Sequence, residues 1–148
     1  MLFMNPSLGQ PMGFTITQFP ATFTTHPPAP EEDIDALMGC FPGIPRAYLD
    51  FLRAHDGGEG WLESGRYFRF WKASEIGRMN QDYEVSIYAP QFLIFGTDGC
   101  DSSFAFDTRS VPWCVGELPF VGMSERYFRE RGTFEEFVAM ARAVETAW

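Results

Sequence analysis

The amino-acid sequence predicts a single α+β domain, an antiparallel meander sheet flanked by helices. Three observations carry that expectation. Residues 31–55 repeat their apolar side chains at helical spacing, and residues 66–121 hold short aromatic and β-branched runs cut by turn residues. Thr133-Phe134-Glu135-Glu136 then opens a last amphipathic helix with the spacing of a capping box. Helices followed by consecutive strands and a closing helix suit an antiparallel sheet, whereas regular strand–helix alternation would favour a parallel one. The length of 148 residues suits one domain. Sixteen Phe and four Trp supply enough large rings for a core without covalent staples.

Taken in order, residues 1–30 form an N-terminal extension rich in Pro, Thr and Phe, with no charged side chain. Within it Gly13 to Phe19 alternates as an edge strand. The domain proper is expected over 31–148. Pro27, Pro28 and Pro30 break the chain ahead of a helix from Glu31 to Cys40, whose acidic first turn suits the helix dipole. Its stripe is Ile34, Leu37, Met38 and Phe41. A second helix runs from Pro45 to His55 with Tyr48, Leu49, Phe51 and Leu52 inward, and Gly57 is expected as its C-cap. Arg66 to Trp71 reads as a strand, and Ser74 as the cap of a third helix carrying Ile76, Met79 and Tyr83. Phe92–Phe95 and Phe104–Phe106 read as buried strands joined by the turn Gly96-Thr97-Asp98-Gly99. Val111–Val115 and Leu118–Val121 are expected as two further strands. The last helix starts at Thr133 and carries Phe134, Phe137, Val138, Ala141, Val144 and Trp148 to the chain end.

Charge narrows the function classes. The net charge is −9, which opposes nucleic-acid binding, because phosphate contacts need Lys and Arg. Acidity falls in two blocks, residues 31–63 and 81–125, each with a net charge of −6, while residues 66–80 come to +3. No run approaches the ~20 apolar residues that span a bilayer, and the start has neither the basic segment nor the apolar run of a secretion signal. Three cysteines without a C-x-x-C pair read as free thiols in a reducing, cytoplasmic setting.

The candidate chemistries each meet a simpler reading. Gly57-Gly58-Glu59-Gly60 follows a helix end and contains an acid, which is the wrong electrostatics for a phosphate cradle, so it reads as a turn. Asp98, Asp101 and Asp107 invite comparison with a calcium loop, but the twelfth residue counted from Asp98 is Arg109 rather than Glu. Two His give no zinc-ligand spacing, and no G-x-S-x-G elbow occurs. The acid pairs Asp56 with Glu59 and Asp98 with Asp101 could do acid–base work only in a shared cleft. No catalytic residue, metal or cofactor is expected.

The order of the motifs is informative in itself. Ile44-Pro45-Arg46-Ala47-Tyr48-Leu49-Asp50-Phe51-Leu52, followed by His55-Asp56-Gly57-Gly58-Glu59-Gly60, resembles the pattern Leu-Pro-x-x-Tyr-x-x-Phe-Leu with His-Asn-Gly-Gly-Glu-Gly of the SUKH superfamily, in its Smi/Knr branch. Phe70-Trp71-Lys72-Ala73-Ser74-Glu75-Ile76, Asn80 to Tyr83, Phe92 to Asp101, Phe104 to Asp107 and Thr133 to Phe137 are similar to its later motifs, in order. The resemblance covers about residues 31–145. Asp56 departs from the usual Asn, Cys100 interrupts a run of small residues, and residues 1–30 have no counterpart.

The resemblance implies a non-enzymatic protein-binding module. The superfamily includes bacterial immunity proteins against polymorphic toxins of the nuclease and deaminase classes, and a yeast regulator of cell-wall synthesis. An immunity protein neutralising a cognate toxin through that toxin's basic surface is therefore expected, with a regulatory scaffold as the alternative. A small hydrolase using the acid pairs is the third reading. Exposed turn positions in the acidic blocks give the expected contacts: Asp56, Glu59 and Trp61 from the first glycine loop, Asp98 and Asp101 from the second.

Overall fold

Seven strands pair in chain order into one fully antiparallel sheet: β1 (Phe23–Thr25), β2 (Gly58–Trp61), β3 (Tyr67–Phe70), β4 (Phe92–Thr97), β5 (Ser102–Asp107), β6 (Cys114–Pro119) and β7 (Arg129–Gly132). Helices α1 (Glu31–Cys40) and α2 (Arg46–Ala54) enter between β1 and β2, α3 (Ala73–Asp82) and the single turn α4 (Val85–Tyr88) between β3 and β4, and α5 (Phe134–Ala141) follows β7. This computed structural model describes residues 18–144. The expected strand from Gly13 lies almost wholly outside them, as does Trp148, and the described Gln18 and Phe19 are irregular.

One face of the sheet is covered by α2 and α5, and the aromatic residues meet there. Tyr48 on α2 is edge-on to Phe95, Phe106 and Phe134, with ring centroids 5.2, 5.1 and 5.3 Å away. Phe51 meets Phe70 at 5.5 Å, and Phe137 on α5 meets Phe104 at 5.0 Å. Edge-to-face pairs of this kind contribute about 0.5–1.5 kcal/mol each beyond the burial of their area. Burial pushes the Tyr48 phenol far above its ordinary range, with the Asp56 charge adding to the effect.

The opposite face is covered unevenly. Over β4 to β6 it lies under the segment that follows β6. Phe128 packs so closely on Gly116 that a Cβ there would sit 2.6 Å from the ring, and it meets Phe92 at 4.7 Å. Over β2 and β3 the alternation leaves Glu59, Trp61, Tyr67 and Arg69 pointing away from the core.

Several local expectations are corrected. Gly58 to Trp61 form strand β2 rather than a turn. Gly60 needs its missing Cβ, because at φ +144° that atom would lie 2.1 Å from the Thr22 carbonyl oxygen as β1 crosses. Gly57 does not cap α2: the helix ends at Ala54 with an extended His55, and Gly57 turns the chain two residues later at φ +82°. Helix α3 begins one residue before Ser74, with Lys72 at its N-cap and Glu75 accepting the Lys72 N–H at 2.9 Å. Gly96 and Thr97 belong to β4, so the turn starts at Asp98. The two strands expected over 111–121 are one, β6, flanked by bends that expose Val111 and Val121. Helix α5 stops at Ala141, and Val144 is 73% exposed. Its start is as expected: Thr133 Oγ1 accepts the Glu136 N–H at 3.1 Å, and Glu136 accepts the Thr133 N–H at 2.9 Å.

Where β3 leaves β4, a side chain replaces the missing strand. β3 pairs with β4 only at Arg69–Thr97 and Phe70–Gly96. Asn80 on α3 accepts the Ile94 N–H at 2.9 Å and donates to the Ile94 carbonyl at 2.8 Å, with a second bond to the Ile76 carbonyl at 2.9 Å. An amide is suited to this position because it carries donor and acceptor on one planar group, as a peptide unit does.

Candidate protein-binding face

The five residues expected at a docking surface fall into three environments. Asp56 is buried at 7% exposure, and its carboxylate accepts the Ala73 N–H at 2.7 Å. Ala73 is the first residue of α3, so Asp56 neutralises a helix N-terminus from a distant loop. The expectation that Asp56 stands exposed in a turn is thereby corrected, and the family-typical Asn could fill the same place through its carbonyl oxygen.

Glu59 and Trp61 alternate onto the sheet face away from the core with Tyr67 and Arg69 of the neighbouring strand, a face left open by the described residues. Register places Glu59 opposite Arg69 and Trp61 opposite Tyr67. The Tyr67 hydroxyl donates to Glu59 at 2.5 Å, and Arg69 Nε lies 3.4 Å from the same carboxylate. That bond to a carboxylate, helped by burial, raises the Tyr67 phenol above its ordinary value. Trp61, 54% exposed, stands edge-on to Tyr67 with centroids 5.4 Å apart. Tyr67 and Arg69 were not among the expected contacts. Their signal was the alternation Tyr67-Phe68-Arg69-Phe70, which puts two polar-tipped side chains on the face opposite two Phe.

Asp98 is used within its own turn. Its Oδ1 accepts the N–H groups of Cys100 at 2.9 Å and Ser102 at 3.1 Å, and Arg66 lies 3.8 Å from Oδ2. Asp101 is exposed at the tip of that turn. Gly99 rests on the Tyr67 ring, where a Cβ would come within 2.8 Å. The structure thus brings Glu59, Trp61 and the Asp98–Asp101 turn to one face through Tyr67, and leaves Asp56 beneath α3.

Behind the turn lies a set of ion pairs. Arg66 Nη1 is 3.7 Å and Arg131 Nε 3.1 Å from the buried Glu117, so β3, β6 and the edge strand β7 are tied together below the face. Many other acids are also engaged: Asp50 and Glu31 with Arg53, Glu63 with Arg142, Asp107 and Glu125 with Arg109. Part of the acidity of both blocks is therefore matched locally by Arg.

The acid pairs weighed for hydrolysis are separated by their roles. Asp56 points inward to Ala73 while Glu59 points outward to Tyr67 and Arg69, and Asp98 folds its own turn. Among the described residues no group of three His, Cys, Asp or Glu side chains is placed to hold a metal ion. No helix among them is long and apolar enough to cross a membrane.

A comparison with curated proteins finds no match. A comparison with protein families matches residues 28–140, from the segment before α1 into α5. With that span covering most of its length, the chain belongs to the SMI1/KNR4 family (SUKH-1).

Proposed function

We propose that the chain is a non-enzymatic protein-binding module, an immunity protein that neutralises a cognate toxin domain of the nuclease or deaminase class. Family membership supports the class of function. The observation that carries the reading is the Trp61–Tyr67–Glu59 cluster on the sheet face that the described residues leave open. It is an exposed Trp61 set against a half-buried Tyr67 by cross-strand register, with a carboxylate beside them. Aromatic anchors next to a charge that steers encounter are what a specific protein interface uses. Glu59, Trp61 and Asp101 are assigned as contacts, with Asp98 holding the turn and Asp56 left to its helix. The chain acts in the cytoplasm, a setting that suits three free thiols at Cys40, Cys100 and Cys114.

A pull-down from the native host, with identification of the bound protein, tests the reading. A toxin domain encoded beside this chain's gene is the expected catch, and its toxicity should be relieved on co-expression. Trp61→Ala should then weaken the complex by about thirtyfold, the scale of a buried aromatic anchor. Capture of a host protein with no toxin domain, and no relief of toxicity, would support the regulatory scaffold instead.

A further inference from the structure

The charge map contains one exception: residues 66–80 are net positive in a chain of −9. The fold gathers part of that run on one cleft of about 510 Å³, next to the proposed docking face, between β3, α3 and the β4–β5 turn. Arg69 and Arg78 line it from two different elements, with Trp71, Tyr83 and Phe120 as its apolar walls. Both guanidiniums are available. Arg69 holds Glu59 at 3.4 Å and Arg78 holds Asp82 at 3.8 Å, and both pairs are largely exposed. Pairs of that length and exposure contribute little and exchange easily. The lining acid Glu75 has one oxygen committed to the Lys72 N–H. Tyr83 and Phe120 meet at 4.6 Å with their planes tilted by 35°, which leaves a ring surface under the charges.

We infer that this cleft is the specificity pocket of the docking face and receives an acidic segment of the protein partner. One carboxylate of that segment bridges Arg69 and Arg78, and a neighbouring apolar side chain rests against Tyr83 and Phe120. The inference rests on the protein-binding reading and adds to it the sign of the partner's contact: a basic toxin surface would carry an acid-tipped element at this point. Charge complementarity selects that occupant. A basic element would meet two guanidiniums, and an extended polyanion would be repelled by the surrounding acids.

The test uses three short peptides and the 15N-labelled protein. Acetyl-Glu-Phe-Glu-amide should shift the backbone amides of Arg69, Tyr83 and Thr97. It should bind about fivefold tighter than acetyl-Gln-Phe-Gln-amide at low salt, with acetyl-Lys-Phe-Lys-amide weakest. Arg69→Ala with Arg78→Ala should bring the acidic peptide to the level of the Gln peptide while thermal unfolding stays unchanged. Raising salt to about 0.5 M should give the same loss without any substitution. Equal binding of the three peptides, shifts confined to another surface, or tight acidic binding that survives the double substitution would each overturn the inference. Those results would leave the toxin reading standing. Loss of toxin relief with peptide binding intact would remove that reading and leave the cleft assignment.

Discussion

Replacing Asp56 separates its structural role from a contact role. Its carboxylate accepts the Ala73 N–H at 2.7 Å, and both residues are buried, so water cannot take over the bond in Asp56→Ala. Losing an N-terminal cap costs about 0.5–2 kcal/mol, and a buried N–H left without an acceptor costs about 1–3 kcal/mol. These describe one bond and are not summed, which gives about 2 kcal/mol. For a domain near this size that lowers Tm by about 4–8 °C. Asp56→Asn keeps an acceptor oxygen and gives up only the charge–dipole attraction, about 0.5–1 kcal/mol. Scanning calorimetry on the two variants and the parent protein measures the difference. An Ala variant that melts within about 2 °C of the parent, or an Asn variant as unstable as Ala, would refute the capping argument.

Asn80→Ala should cost about 3 kcal/mol in urea denaturation, since both Ile94 backbone groups lose their partner at once. Gly77 sits inside α3 with open space where a Cβ would go, so Gly77→Ala should stabilise the protein by about 0.5–1 kcal/mol in the same assay. Hydrogen bonds from Arg109 hold the Asp107 carboxyl below its usual range, and those from Arg142 do the same for Glu63. Both acids therefore bind fewer protons folded than unfolded. Their contribution is complete above the ordinary carboxylate range and is lost as pH falls through the depressed folded values. Urea midpoints should drop below about pH 4, and Asp107→Asn with Glu63→Gln should flatten that drop; an unchanged slope would show that the pairs do not contribute.

The elements legible in the sequence are those whose signal is local. The α2 stripe, Ile34 and Leu37 of α1 (though not Met38, which is 45% exposed), the α5 capping box and the buried runs of β4 and β5 follow from spacing and residue type within a dozen positions. Those that were misread depend on contacts between distant segments. β2 is rich in glycine because β1 crosses within 2.1 Å of where a Gly60 Cβ would be, and nothing within residues 57–60 announces that neighbour. β7, Arg129-Glu130-Arg131-Gly132, has no apolar residue to mark it as a strand. It is an edge, where charge discourages pairing with other chains, and the ladder to β6 defines it.

The same distinction governs the proposed docking face. Glu59 and Trp61 stand out in the sequence because a glycine-rich run with an acid and a Trp draws attention, whereas their placement beside Tyr67 and Arg69 comes from the β2–β3 register, which no local pattern supplies. Asp56, three residues before Glu59, is equivalent to it in sequence and opposite in direction. One carboxylate turns under α3 and holds a helix, and the other turns out to a tyrosine. A single change of direction at Gly57, at φ +82°, with a Cβ excluded by the Phe70 carbonyl at 2.3 Å, separates the two. The glycine here therefore assigns the chemistry: it turns the chain between one acid that holds a helix from below and another that faces outward, bonded to Tyr67 and Arg69.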